Sequence, residues 1–316
     1  MPWFWPAPNQ LNKVPRVTLP FWIVKVACTT LGETFSNYLC ITCGLRVRFA
    51  LAILAPILVV LLVTQIRLPK YVAVVYWLVT MVASIVGTLV ADEIGYVSGA
   101  SMWVVVVAFG IPFGLVLGIW YLVERNLSFE QVSTPRCERL YWLAILSSFP
   151  LGTAVGDCLA EDTTLGYGSA FAIFGSVMLA TVVVWYWTKH PTVQVIAFWT
   201  AYILARPVGT TMGDWLTFTG SSNSTSSGSG SSSSSGSSSN GSSSGSGSTG
   251  LNNFLSLGVD AWSISVIDAV VVVVLVLYFT ATKVDVLERS HSTDHRGSGL
   301  QKSVQPTDMP TAVQQS

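Results

Sequence analysis

Residues 198–217 read FWTAYILARPVGTTMGDWLT. An aromatic pair ending in Trp199 is followed ten residues later by Gly209, and five after that by Asp214. The same spacing returns at Trp22, Gly32 and Asn37, at Trp77, Gly87 and Asp92, and at Trp142, Gly152 and Asp157. Four occurrences at one internal spacing mark a repeat architecture. Each stretch is mostly apolar and lacks the alternation of a half-buried strand, so each reads as a helix. One plainer apolar stretch follows each motif helix. Two helices per unit bring every unit in from the same side, which predicts parallel repeats about an axis along the membrane normal.

The rest of the chain agrees. Only 10% of its 316 residues are charged, sixteen basic against sixteen acidic, and 51% are hydrophobic. A soluble domain carries about 25% charge. The balance excludes a soluble enzyme, a disordered chain and, without a basic excess, a nucleic-acid binder. Eight stretches are apolar over about 20 residues, the length of a span: 21–40, 49–66, 71–91, 101–123, 140–160, 169–188, 193–216 and 254–281. The predicted fold is an all-α membrane protein of eight transmembrane helices, with repeats over 21–66, 71–123, 140–188 and 193–282. Residues 1–20 form a cytoplasmic segment without the apolar core of a signal peptide. A Ser/Gly tract at 220–250 reads as a flexible outer loop, and 283–316 as a polar cytoplasmic tail. Asn223 and Asn240 begin glycosylation sequons within that tract.

Orientation follows from the loops. Twelve Lys and Arg fall on one side, only Arg46 and Arg48 on the other, with Lys25 and Arg206 inside spans. Both termini are therefore expected in the cytoplasm.

On a helix, residues four apart share a face. Counted from each Trp, positions +2, +6, +10 and +14 are small: Val24, Cys28, Gly32 and Ser36 in the first unit, Ala201, Ala205, Gly209 and Gly213 in the last. Gly32, Gly87, Gly152, Gly156, Gly209 and Gly213 read as a packing seam, because small residues let helices approach closely in lipid. The adjacent stripe, +3 to +15, is polar: Lys25-Thr29-Glu33-Asn37, Thr80-Ser84-Thr88-Asp92, Ile145-Phe149-Thr153-Asp157 and Tyr202-Arg206-Thr210-Asp214. It should face the protein interior.

At 1.5 Å per residue, the Asn37, Asp92, Asp157 and Asp214 row lies about 22 Å from the Trp level, Glu33 about 16 Å, Arg206 about 10 Å and Lys25 about 5 Å. Lys25 is shallow enough to snorkel to water, so an interface anchor and a site role both stand. Glu33 and Arg206 are too deep for that and are functional candidates, with pairing of Arg206 to a carboxylate as the structural alternative. Asp268 in the last span shares the depth of the acid row. Pro150 and Pro207 fall two residues before their Gly and are expected to kink those helices. The candidate transport or binding residues are thus Lys25, Glu33, Asn37, Asp92, Asp157, Arg206, Asp214 and Asp268. No phosphate-binding loop, nucleophile with base, or intramembrane His is present, so neither a cofactor nor a metal is expected and the chain does not read as an enzyme. Cys40 and Cys43 form a lone C-x-x-C, weak evidence for metal or redox work.

The Trp-x9-Gly units resemble a family of bacterial membrane proteins built of four tandem two-helix repeats of unknown function, described as uncharacterised membrane-anchored proteins. The resemblance rests on Lys13–Pro15 with Phe21–Lys25, Thr29–Thr34, Gly152–Asp157 and Arg206–Trp215, and extends over about 13–282 apart from the Ser/Gly tract. It implies the fold and a bacterial inner-membrane location, and supplies no activity. Asn37 departs from the acid of the other units. A transporter or channel for a small solute or cation is the leading expectation. The alternatives are a non-transporting scaffold or sensor and, less favoured, an intramembrane enzyme. The bilayer is the expected partner, and the oligomeric state is open.

Overall fold

The computed structural model describes residues 13–124, 127, 132, 134–163, 165–188, 190–217 and 259–283. The Ser/Gly tract and its sequons, the segment before Lys13 and the tail after Lys283 lie outside the described residues.

All described elements are helical. They are α1 (Leu19–Asn37), α2 (Val47–Arg67), α3 (Ala73–Asp92), α4 (Met102–Glu124), α5 (Pro135–Asp157), α6 (Gly166–Trp187), α7 (Pro191–Thr217) and α8 (Ala261–Thr282). Each expected span has its helix. Starts follow local chemistry: Pro20 lies in the first turn of α1, and Thr134 precedes Pro135 and accepts from the Cys137 N–H at 3.2 Å. A first-turn proline loses no intrahelical bond, and a threonine cap satisfies an orphan donor.

The motif helices α1, α3, α5 and α7 form a ring, each touching the next and α7 touching α1. Their glycines set the spacing. A Cβ on Gly32 would overlap Ser84, one on Gly87 would overlap Phe149, one on Gly152 would overlap Arg206, and one on Gly209 would overlap Thr29. In every case the +10 glycine of one unit receives the +7 side chain of the next, and the last unit closes on the first. The seam and the polar stripe are therefore two halves of one contact.

The plainer helices lie outside this ring. Helix α2 packs on α3, α4 on α5, α6 on α7 and α8 on α1. They are mostly exposed and turn apolar side chains outward, such as Ile53 and Val60 on α2, Ile111 and Leu115 on α4, and Ile267 and Val274 on α8. Apolar outside and polar inside is the arrangement a bilayer selects. Among the described residues, six helices are long and apolar enough to cross a membrane. The other two, α1 and α7, carry Lys25, Glu33, Arg206 and Asp214 and sit in the ring, where their polarity faces protein.

Pro150 and Pro207 do not break their helices, since α5 and α7 are continuous through them. Instead Pro207 lies in the notch that Gly152 and Gly156 open on α5. Three motif helices end alike, in a five-residue π-helical turn: Tyr38–Thr42, Glu93–Val97 and Cys158–Asp162, directly after Asn37, Asp92 and Asp157. The first two close with a bond to the carbonyl five residues back, Cys43 to Tyr38 and Ser98 to Glu93, both 2.9 Å. Each then reverses at a glycine with positive φ, Gly44 at 65° and Gly99 at 71°, a backbone region that L side chains disfavour.

Candidate functional site

The polar stripes of the four ring helices meet in layers. At one end the aromatic residue before each Trp packs on the Trp of the next unit: Phe21 on Trp77 (5.5 Å), Tyr76 on Trp142 (5.6 Å) and Phe198 on Trp22 (5.9 Å). Trp120 of α4 bridges the fourth junction, touching Tyr141 and Trp199. The Tyr76 and Tyr141 hydroxyls meet at 2.5 Å. This end is packed with rings.

Below it the segment 13–18 folds over the bundle. Lys13 Nζ donates to Glu138 Oε2 at 2.7 Å and to the Ile66 carbonyl at 3.0 Å. Val14 and Val17 are buried beside it. Lys13 therefore spends its charge on a buried ion pair rather than in the loop. Sequence reading missed this contact; the available signal was Glu138, an acid four residues before Trp142 on the buried face of a span.

Lys25 is wholly buried and does not snorkel. Its ammonium lies 3.9 Å from the Tyr202 ring centroid and 4.8 Å from that of Phe149, with no hydrogen-bond acceptor among the described residues. The reason is steric: the aromatic layer stands between Lys25 and the near end of the bundle. Ring faces attract a desolvated cation, by about 2 kcal/mol.

Among the described residues Arg206 has no carboxylate within ion-pair distance, against the pairing held open as its structural alternative. Its guanidinium crosses the ring. Nε and Nη2 each donate to the Phe149 carbonyl at 3.3 Å, Nη1 to Ser84 Oγ at 2.5 Å, and Nη2 to Thr153 Oγ1 at 3.0 Å and Thr88 Oγ1 at 3.5 Å. The planar fork thus joins α3, α5 and α7. Thr88 passes the contact on, donating to Glu33 Oε2 at 3.1 Å. One hydroxyl therefore links the deepest acid to the deepest guanidinium.

Beyond Glu33 the ring opens. A cavity of about 390 Å³ is lined by Glu33, Asn37, Asp92, Asp157, Asp214 and Glu161, with Tyr96 and Tyr167 at its side. Neither Arg206 nor Lys25 lines it, so Glu33 is its floor. Tyr96 and Tyr167 hydroxyls both donate to Glu161 Oε1, at 3.0 and 2.6 Å. The Asn37 amide donates to Asp214 Oδ1 at 2.9 Å, which explains the departure from the acid pattern: an amide supplies a donor where a fourth carboxylate would only repel. The two tyrosines carry no repeat signature and were not legible from spacing. Asp268 is not part of this group; it lines a separate cavity between α1 and α8.

Among the described residues, no cluster of three His, Cys, Asp or Glu side chains is arranged to hold a metal ion. The carboxylates surround a space rather than converge on a point. Cys40 and Cys43 are both free thiols at the acidic end.

No curated protein and no solved structure matches the chain. A family model described as Repeat of Unknown Function (DUF347) matches residues 20–71, 140–191 and 197–285. Residues 73–124 lie outside those matches, yet they carry the same Trp, Gly and Asp and fill the same place in the ring. On these repeats the chain belongs to the Repeat of Unknown Function (DUF347) family.

Proposed function

We propose that the protein is a transporter for a small cation or a proton-coupled solute. The observation that carries this reading is the cavity lined by carboxylates at one end of the ring, floored by Glu33 and backed by Thr88 and Arg206. Acidic walls in a low-dielectric setting concentrate cations. The packed aromatic layer beyond Lys25 closes the other end, as an alternating-access cycle requires of one of its states. We further propose that the four units are parallel repeats about the membrane normal, that both termini are cytoplasmic, and that the acidic cavity opens to the outside of a bacterial inner membrane. The excess of Lys and Arg at the Trp end supports that orientation.

Purified protein in liposomes tests the reading. A panel of monovalent and divalent cations and protonatable amines should reveal a flux that Glu33→Gln and Arg206→Ala abolish. Inserted, folded mutants with wild-type flux would remove the site. A scaffold reading is favoured by one observation, the fully bonded guanidinium that ties three helices together. It expects no flux for any solute, with Arg206 strongly coupled in stability to Ser84 and Thr153.

A further inference from the structure

A second cavity, of about 400 Å³, lies apart from the acidic one, over the seam where α1 meets α7 and between α8 and α6. Trp22 and Thr30 of α1, Met178 of α6, Met212 of α7, and Asp268 and Val271 of α8 line it. It follows α1 over eight residues, about 12 Å, so it takes an elongated body. Its walls are apolar, and Ile23 and Val271 at its edge are exposed on the lipid-facing surface.

Two residues lining it each carry a buried polar atom with no hydrogen-bond partner among the described residues. These atoms are Trp22 Nε1, on a side chain 4% exposed, and Asp268 Oδ2. The Thr30 hydroxyl is already bound to the Val26 carbonyl at 3.1 Å. Asp268 sits seven residues into α8, about 10 Å from that end of the helix, and among the described residues it is the one charged residue lining the cavity. A carboxylate at such depth is expensive without a counter-charge, and the cavity supplies none. Polarizable Met178 and Met212 adapt to flexible chains.

We propose that this groove binds an amphipathic amine drawn sideways from the bilayer, its ammonium on Asp268 and its chain laid along α1 between Met178 and Met212. The site is independent of the acidic cavity and of any flux through it.

Full-length protein in phosphatidylcholine nanodiscs is treated with dicyclohexylcarbodiimide, and modification of Asp268 is followed by peptide mass spectrometry. Asp268 should react. N,N-dimethyldodecylamine, a tertiary amine that cannot trap the activated acid as an amide, should slow the reaction about tenfold relative to dodecanol of equal chain length, since only the amine offers a counter-charge. Met178→Trp, which fills the groove and keeps the acid, should slow labelling with or without amine. An unreactive Asp268 would overturn the proposal, because the groove would then be closed to the bilayer. Equal protection by amine and alcohol, or no protection by either, would overturn it as well.

Discussion

Lys25 places an ammonium against two ring faces and gives it no acceptor. Nothing in the packing needs a charge there. Lys25→Met should therefore stabilise the protein by about 1–3 kcal/mol in denaturant titration in mixed micelles, and flux should fall if the cation serves transport. A loss of stability would show that the cation holds the ring together. Arg206 is the opposite case. Arg206→Met would strip donors from the Phe149 carbonyl, Ser84 and Thr153, and should cost about 1–3 kcal/mol. Asn37→Asp replaces the amide that serves Asp214 with a second carboxylate, and should destabilise by about 1–3 kcal/mol, less at high salt. Each value can be read from the same titration. Spacing alone identified these residues as interior and polar. It did not show what they touch, because a stripe fixes a face and not a partner. So Arg206 was open to a carboxylate partner and takes hydroxyls and a carbonyl instead.

At the scale of the helices, the glycines divide by what lies opposite them. Gly209 faces Thr29 and Gly32 faces Ser84, with no room for a methyl. Gly114 and Gly118 of α4 face open space. Gly209→Ala should cost about 1–3 kcal/mol by overpacking, whereas Gly118→Ala should gain up to about 1 kcal/mol from helix propensity. Equal effects in the unfolding titration would deny the close seam. The eight helices and the small-residue seam were legible because a bilayer forces long apolar runs and close packing enforces small residues. The π-helical turns were not, since they depend on bond geometry at helix ends and leave no compositional trace. The proline kinks were expected from the missing N–H. Helices α5 and α7 run on through Pro150 and Pro207, and Pro207 fits the notch on α5.

For the molecule as a whole, the ring separates an acidic open end from an aromatic closed one. In the proposed orientation the acidic end faces outside; Cys43 at that end is exposed and Cys137 at the other end is buried. A membrane-impermeant maleimide should label Cys43 in intact cells. Labelling only after permeabilisation would invert the topology. Composition made the membrane legible at once, and the Trp spacing made the four units legible. Asp268 shows the limit of depth arithmetic: it was expected at the depth of the acid row, but Trp262 packs on Tyr38 and Ser265 bonds Thr34, which puts Asp268 about 9 Å deeper, on a different side of α1. The central claim is that cations enter the acidic cavity and are handed to Glu33. Charge movement on a solid-supported membrane after a cation concentration jump tests it most directly. Wild type and Gly118→Ala should give a transient current and Glu33→Gln none; an inserted, folded Glu33→Gln protein with the wild-type current would contradict the account.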